Sequence, residues 1–220
     1  MFIGHYAVAL AAKKAAPRTS LGTLFLAAQF LDLLWPALLL LGLEHVRIDA
    51  GNTAVTPLDF YDYPITHSLA GAVLWSLLLG ILYRVIRRDV RGAVVVGACV
   101  FSHWILDFVT HRADLPLWFT GSARAGAGLW NSLVWTLVVE VGLFAAGIAI
   151  YLRSTRSKDR TGVFAFWSLI LVLFAIYCGN LFGPPPPGEG AIAVVSNAAW
   201  LFVLWAYWAD RHRTAEGVSA

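Results

Sequence analysis

Six stretches of about twenty apolar residues, each long enough to cross a bilayer, dominate this 220-residue chain. Only 13% of its residues are charged, against about 25% in an average soluble domain, and 59% are hydrophobic. Mean hydropathy is +0.70. The fold class read from this is all-α: a polytopic membrane helix bundle of about seven helices, six long spans plus a short N-terminal one. The spans are read at residues 2–16, 21–43, 65–86, 91–111, 129–152, 162–182 and 191–209. Turn chemistry separates them, at Pro17, Gly51-Asn52, Pro57, Pro64, the glycine-rich stretch 121–128 and the Pro184–Pro187 run. No internal repeat or soluble domain interrupts residues 1–220, so the chain reads as one integral membrane domain. Cys99 and Cys178 fall inside spans and read as small apolar packers.

The basic residues give an orientation. Lys13, Lys14 and Arg18 form one cluster; Arg84, Arg87, Arg88 and Arg91 a second; Arg153, Arg156, Lys158 and Arg160 a third; Arg211 and Arg213 a fourth. If the spans alternate, these thirteen of the sixteen Lys and Arg lie on one side, which the positive-inside rule makes cytoplasmic. The expected location is a bacterial cytoplasmic (inner) membrane, multi-pass, with the C-terminus inside. The basic charge therefore belongs to inter-span clusters, and no nucleic acid is expected as a partner. No cleavable signal is expected at the start, where the positive charges follow the apolar stretch. Residues 2–16 leave two readings open. They form either an amphipathic helix on the inner surface or a spanning helix with its N-terminus outside and Lys13 and Lys14 snorkelling inward.

Polar residues inside the spans bear on that choice, because ionisable groups in a bilayer are costly and usually mark a site. His103, Asp107 and His111 sit four residues apart and share one helical face. At a rise of about 1.5 Å per residue, Asp32 stands about 16 Å above the inner edge, His103 about 18 Å and Asp107 about 24 Å. His67 enters just below the outer surface. If residues 2–16 span, His5 reaches the same depth; if they lie on the inner surface, it is stranded about 20 Å away. The spanning form is the expectation, with a site in the outer half.

The expected metal ligands are His5, Asp32, His67, His103 and Asp107, with His111 as a ligand or a rim residue. Nitrogen and oxygen donors of this kind suit zinc, with manganese or iron as alternatives. The expected cofactor is one or two divalent transition-metal ions, with Asp107 able to bridge a pair. Each residue also has a structural reading. Asp32 can bond a neighbouring helix, His67 can cap its helix with Thr66 and Ser68, and His111 can be a solvated helix end. Pro36 removes the amide that would bond the Asp32 carbonyl, so a kink near the site is one expectation and ordinary bundle geometry the other. Glu140, in mid-span, is read as a supporting or catalytic group. Asn131 and Trp130 are read as substrate contacts, and Arg112 and Arg124 as contacts to a substrate anion. No nucleophile elbow, phosphate loop, CxxC pair or HExxH motif is present.

Four pieces occur in order: Gly4-His5-Tyr6; Leu31-Asp32-Leu33 followed by Pro36; Thr66-His67-Ser68-Leu69; and Ser102-His103-x-x-x-Asp107 followed by Leu115-Pro116-Leu117-Trp118. Residues 1–118 thereby resemble the YdjM-like family of bacterial inner-membrane metal-dependent hydrolases. Residues 119–220 add spans without a recognised motif. That family is in turn similar to the zinc-dependent phospholipase C and single-strand nuclease superfamily. The resemblance implies phosphoester hydrolysis by metal-activated water on a lipid or lipid-linked substrate. Two departures bear on the metal count. Leu34 and Trp35 stand where family members carry a second acid and a histidine. The later superfamily ligands have only His111 and Glu140 as approximate counterparts. One or two ions are therefore expected rather than three. Two other functions stay open: a proton- or ion-coupled transporter using the buried His and Asp, and a non-catalytic membrane protein with a structural metal. The bilayer is the one partner expected in every case.

Overall fold

The computed structural model describes residues 1–215. The chain begins with α1 (Ile3–Ala15), α2 (Leu21–Ala28) and α3 (Phe30–Leu40). A hairpin of β1 (His45–Ile48) and β2 (Leu58–Asp62) leads to α4 (Pro64–His67), α5 (Leu69–Arg87) and α6 (Val90–Thr110). A loop holding the short antiparallel pair β3 (Leu115–Pro116) and β4 (Arg124–Ala125) ends in a 3-10 turn at Leu129–Asn131. Then follow α7 (Leu133–Ser154), β5 (Thr155–Ser157), α8 (Arg160–Phe182), α9 (Glu189–Ser196), α10 (Ala199–Arg211) and β6 (Arg213–Ala215).

Helices α5, α6, α7 and α8 and the stretch Glu189–Arg211 are long and apolar enough to cross a membrane. Helices α2 and α3 join them if the pair, bent by 56°, counts as one span. The exposed side chains fit a lipid surround: α5 presents Leu74, Leu77, Leu78, Ile81, Leu82 and Val85 outward. With water outside, such a face would be a large apolar patch of the kind soluble monomers avoid. Within lipid it costs nothing.

The centre of the bundle belongs to one of its shorter helices. Helix α1 packs among α2, α6 and α7, burying Ile3, His5, Tyr6, Ala9 and Leu10. This excludes a surface-lying amphipathic helix at residues 2–16. Its thirteen residues extend about 20 Å, less than the hydrocarbon thickness. Helix α7 meets it with a stripe of Thr136, Glu140, Phe144, Gly147 and Tyr151, spaced by three or four residues. Gly147 is required there, because a Cβ would stand 2.6 Å from the Ala7 carbonyl oxygen.

Three expected spans begin or break elsewhere. The helix expected across residues 21–43 breaks at Gln29 (φ −102°, ψ 6°), not near Pro36, which lies inside α3 without ending it. Losing one amide at Pro36 removes a single helical bond, whereas the Gln29 conformation redirects the whole chain. The helix expected from residue 65 is divided at Ser68, whose extended backbone (ψ 152°) separates α4 from α5. The Ser68 hydroxyl then caps α5 by accepting from the Gly71 amide at 2.9 Å. The span expected from residue 129 starts at Leu133, capped by Ser132.

The basic clusters gather at one end of the bundle. Lys13 pairs with Asp210 at 2.9 Å, Arg91 donates to the Ala15 carbonyl, and β5 pairs with β6. Arg213 donates to Thr155 from the same corner. Asp159 caps α8 there, and its hydrogen bond from His212 holds its carboxyl below the usual range. The two hairpins and the proline run connect the helices at their other ends.

Candidate metal centre

Four elements each bring one or two groups to a common point at the end opposite the basic clusters. Helix α6 contributes His103 and Asp107, one turn apart and both buried. Helix α1 contributes His5, whose ring stacks on His103 with centroids 3.7 Å apart and planes within 2°. Asp32 comes from the first turn of α3, just past the bend. His67 is the last residue of α4, where the break at Ser68 frees it from the α5 helix.

The donor atoms are crowded. Asp107 Oδ1 lies 3.1 Å from His5 Nε2, and Asp107 Oδ2 lies 3.1 Å from His103 Nε2 and 3.7 Å from His67 Nε2. Asp32 Oδ1 lies 3.3 Å from His67 Nε2 and 3.6 Å from His103 Nε2. The Met1 amino group also reaches Asp107 Oδ1, at 2.5 Å. Two donors on one tetrahedral zinc ion, each about 2.0–2.2 Å from it, stand roughly 3.3–3.6 Å apart. His5, His103 and Asp107 form one group that can hold a metal ion, and Asp32, His67 and His103 form another.

The hydrogen bonds around the imidazoles fix which nitrogen points inward. His103 Nδ1 donates to the Ala28 carbonyl at 2.8 Å, at the α2–α3 bend. In the neutral ring Nε2 then carries the lone pair, 3.1 Å from Asp107 Oδ2 and 3.6 Å from Asp32 Oδ1. Two acceptors facing one another in a buried site repel unless a cation stands between them. His67 is held in the same sense. The Thr66 hydroxyl donates to Glu44 Oε2 at 2.7 Å, which leaves its oxygen to accept from His67 Nδ1 at 2.6 Å. Glu44 also accepts from the Thr66 amide at 2.8 Å. Burial pushes the Glu44 carboxyl upward from its ordinary value, against the opposing pull of His67 and the Thr66 hydrogen bonds. A carboxylate behind a ligating histidine is the usual outer support of a metal site. His103 Nε2 offers one lone pair, so it serves one ion, and the two groups overlap rather than add. Asp107, with an oxygen on each side, is the group that can serve two.

Beside these donors lies a cavity of about 800 Å³, lined in part by Asp32, His67, Asp107, His111 and Glu140. Glu140 is buried, with Oε2 accepting from the Phe2 amide at 2.9 Å. His111 lines the cavity but belongs to neither metal-holding group. It is buried rather than at a solvated rim, with Nδ1 2.9 Å from Asp114 and its ring packed on Trp130 at 4.4 Å. Trp130 also lines the cavity, while Asn131 is exposed in the 3-10 turn outside it. Arg112 and Arg124 also stand apart from the cavity lining. Arg112 pairs with Asp59 at 2.5 Å and Asp114 at 3.4 Å; Arg124 donates to the carbonyls of Asp114 and Tyr61. Both guanidiniums tie the β1–β2 hairpin to the loop after α6. Sequence reasoning gives Glu44 no role and reads Thr66 only as a cap. The adjacency of Thr66 to His67 was the one signal available for the relay. Compared with protein-family models, curated proteins and solved structures, the chain matches none.

Proposed function

We propose that this chain is a membrane-embedded, metal-dependent hydrolase of a phosphoester, a reading in which the YdjM-like resemblance and the site agree. The observation that carries it is the convergence of His5, Asp32, His67, His103 and Asp107 from four elements onto donor separations of 3.1–3.7 Å. In this reading Asp32, His67 and His103 would hold a zinc ion, and His5 and Asp107 would supply ligands for a second. A bound ion of this kind activates water and neutralises a phosphoryl oxygen. The chain's own residues do the rest. The cavity places the ester beside Asp107, and Glu140 accepts the proton of the attacking water as the ester P–O bond breaks. Glu140 returns that proton to the leaving oxygen, which departs as an alcohol. In this reading the basic end faces the cytoplasm, the metal centre lies in the outer half of a bacterial inner membrane, and α1 is an additional short helix with its N-terminus outside.

The cavity argues against a transporter. Among the described residues its lining includes none of the basic-end clusters, which supports a one-sided site over a path across the bundle. The test is hydrolysis of aryl and alkyl phosphoesters by purified protein. Activity should vanish on dialysis against a strong chelator and return with stoichiometric zinc. Protein isolated without chelator that carries no transition metal would sink the reading.

The Glu44–Thr66–His67 relay makes a narrower prediction. Thr66→Val keeps the shape of the side chain and removes the acceptor for His67 Nδ1. Outer-shell losses of this type typically cost about 10–100-fold in metal affinity. Competition against a chromophoric chelator should show that loss with the thermal midpoint nearly unchanged. An unaltered affinity would remove the relay from the site.

A further inference from the structure

A second, smaller space of about 290 Å³ lies at the basic end of the bundle, away from the metal centre. It sits where the last turn of α1 meets the last turn of α7, lined by Lys13, Lys14, Pro17, Ile150, Arg153 and Ser154. Three of these residues are cations, and none of the described residues lining the space is an acid. A cation in the last turn of a helix offsets its free carbonyls, which accounts for the sign of the charge at each helix end. It does not account for the open space kept between the two ends.

The three cations differ in what matches them. Lys13 is 5% exposed, and its ammonium donates to the Thr19 carbonyl at 3.0 Å and to Asp210 Oδ2 at 2.9 Å. Its charge is therefore met by Asp210. Lys14 and Arg153 are exposed, and neither has a hydrogen bond or ion pair with another described residue. Other basic side chains of this end are committed. Arg91 donates to the Ala15 carbonyl, Lys158 to the Arg211 carbonyl, and Arg213 to Thr155 and Ser157. Two uncommitted cations, one from α1 and one from α7, thus border one small space with a third cation beside them.

Its height in the bundle narrows the ligand. Helix α7 has 22 residues and extends about 33 Å, slightly more than the hydrocarbon thickness of about 30 Å, so its last turn falls at a polar interface. The same helix presents Val134, Trp135, Val138 and Leu143 outward, a face suited to acyl chains. Ile150 and Pro17 give the space an apolar side next to its cations. A free inorganic anion would leave that side unfilled. The volume is just under the range of about 300–1,000 Å³ usual for ligand pockets, which suits a headgroup whose chains stay in the bilayer.

We propose that this space binds the headgroup of one anionic phospholipid from the leaflet at the basic end. The phosphate lies between Lys14 and Arg153 beside Lys13, and the chains leave past Ile150 along α7. Cations near a membrane surface attract anionic lipid, and here two helices hold them around a space of headgroup size. The bound lipid ties the end of α1 to α7 and so braces the helix that carries His5. The site stands apart from the metal centre and does not depend on what that centre does.

The test is titration of full-length protein in dodecyl maltoside with dioleoylphosphatidylglycerol, read by native mass spectrometry. One lipid should bind saturably, and dioleoylphosphatidylcholine should not replace it at equal concentration. Lys14→Gln and Arg153→Gln should each weaken binding about fivefold, and the double variant about 25-fold. Arg87→Gln removes an exposed cation that does not line the space, and should leave the affinity unchanged. Ile150→Trp, which fills the apolar side without altering charge, should also weaken binding. Thermal midpoints without lipid identify the variants that are folded; added phosphatidylglycerol should raise the midpoint of wild type and not of the double variant. A folded double variant that binds as wild type overturns the site. A loss in Arg87→Gln equal to that in Arg153→Gln overturns it in favour of a diffuse basic surface. Phosphatidylcholine binding as tightly as phosphatidylglycerol overturns the need for an anion. Inorganic phosphate or glycerol 1-phosphate displacing the lipid at equal concentration overturns the lipid and leaves a soluble-anion site.

Discussion

In the proposed hydrolase, Asp107→Ala will release the metal and lower phosphoester hydrolysis by about a thousandfold or more. Asp107 is the one residue within 3.7 Å of three of the site's imidazoles, with Oδ1 toward His5 and Oδ2 toward His103 and His67. His103 is common to both groups as well, but its Nε2 offers one lone pair, whereas Asp107 has an oxygen toward each side. Metal activation of water supplies several kcal/mol of barrier lowering, and each 1.36 kcal/mol is tenfold in rate. Asp107→Asn keeps the volume and one carbonyl oxygen but loses the charge, so it should retain part of the metal and little activity. Metal analysis by mass spectrometry and single-turnover hydrolysis measure the two effects independently. Full metal occupancy in Asp107→Ala would remove this residue from the centre.

How far the site was legible in the sequence differs among its parts, for physical reasons. His103 and Asp107 were readable because a helix fixes the relation between residues four apart, and a bilayer makes buried charge conspicuous. Asp32 and His5 were reachable by depth, since the rise per residue converts sequence distance into height. Their convergence on one point was not so encoded. It depends on the bend at Gln29 and the break at Ser68, and neither is a proline or glycine. Pro36 was the visible breaker, yet α3 runs through it. At the bend, the Ala28 carbonyl accepts from His103, a contact between residues 75 apart. Local propensity carries no record of such a partner. The same holds for Tyr177, which lies in a chain region without motifs and joins the cavity through helix packing. The membrane architecture was the most legible feature, because apolar run length is a one-dimensional property. The role of α1 was the least legible. Its short, basic-ended sequence fits a surface helix, and its burial follows only from the complementary stripe on α7.

That stripe yields the second large effect, at a position about two turns from the cavity. Gly147→Leu should empty the metal centre although residue 147 touches none of its ligands. A Cβ at Gly147 would stand 2.6 Å from the Ala7 carbonyl oxygen and 2.8 Å from the Ala7 Cα, and both are backbone atoms that no rotamer can move. Helix α1 must therefore shift as a body, carrying His5, two residues before Ala7, away from Asp107 Oδ1. Separations of 3.1 Å tolerate little movement, because metal–ligand distances hold to within about 0.2 Å. Gly142 supplies the control. It lies on the same helix with nothing within 4 Å of its added Cβ, on the exposed side. Gly142→Leu should keep metal and activity, and the helix gains up to about 1 kcal/mol from replacing glycine. Gly147→Leu should lose most of its metal and melt at lower temperature, while Gly147→Ala shows an intermediate loss. Metal retained in Gly147→Leu at the level of Gly142→Leu would mean that α1 is not the rigid arm that delivers His5. The centre would then have to be built from α3, α4 and α6 alone, with Asp32, His67, His103 and Asp107 as its whole ligand set.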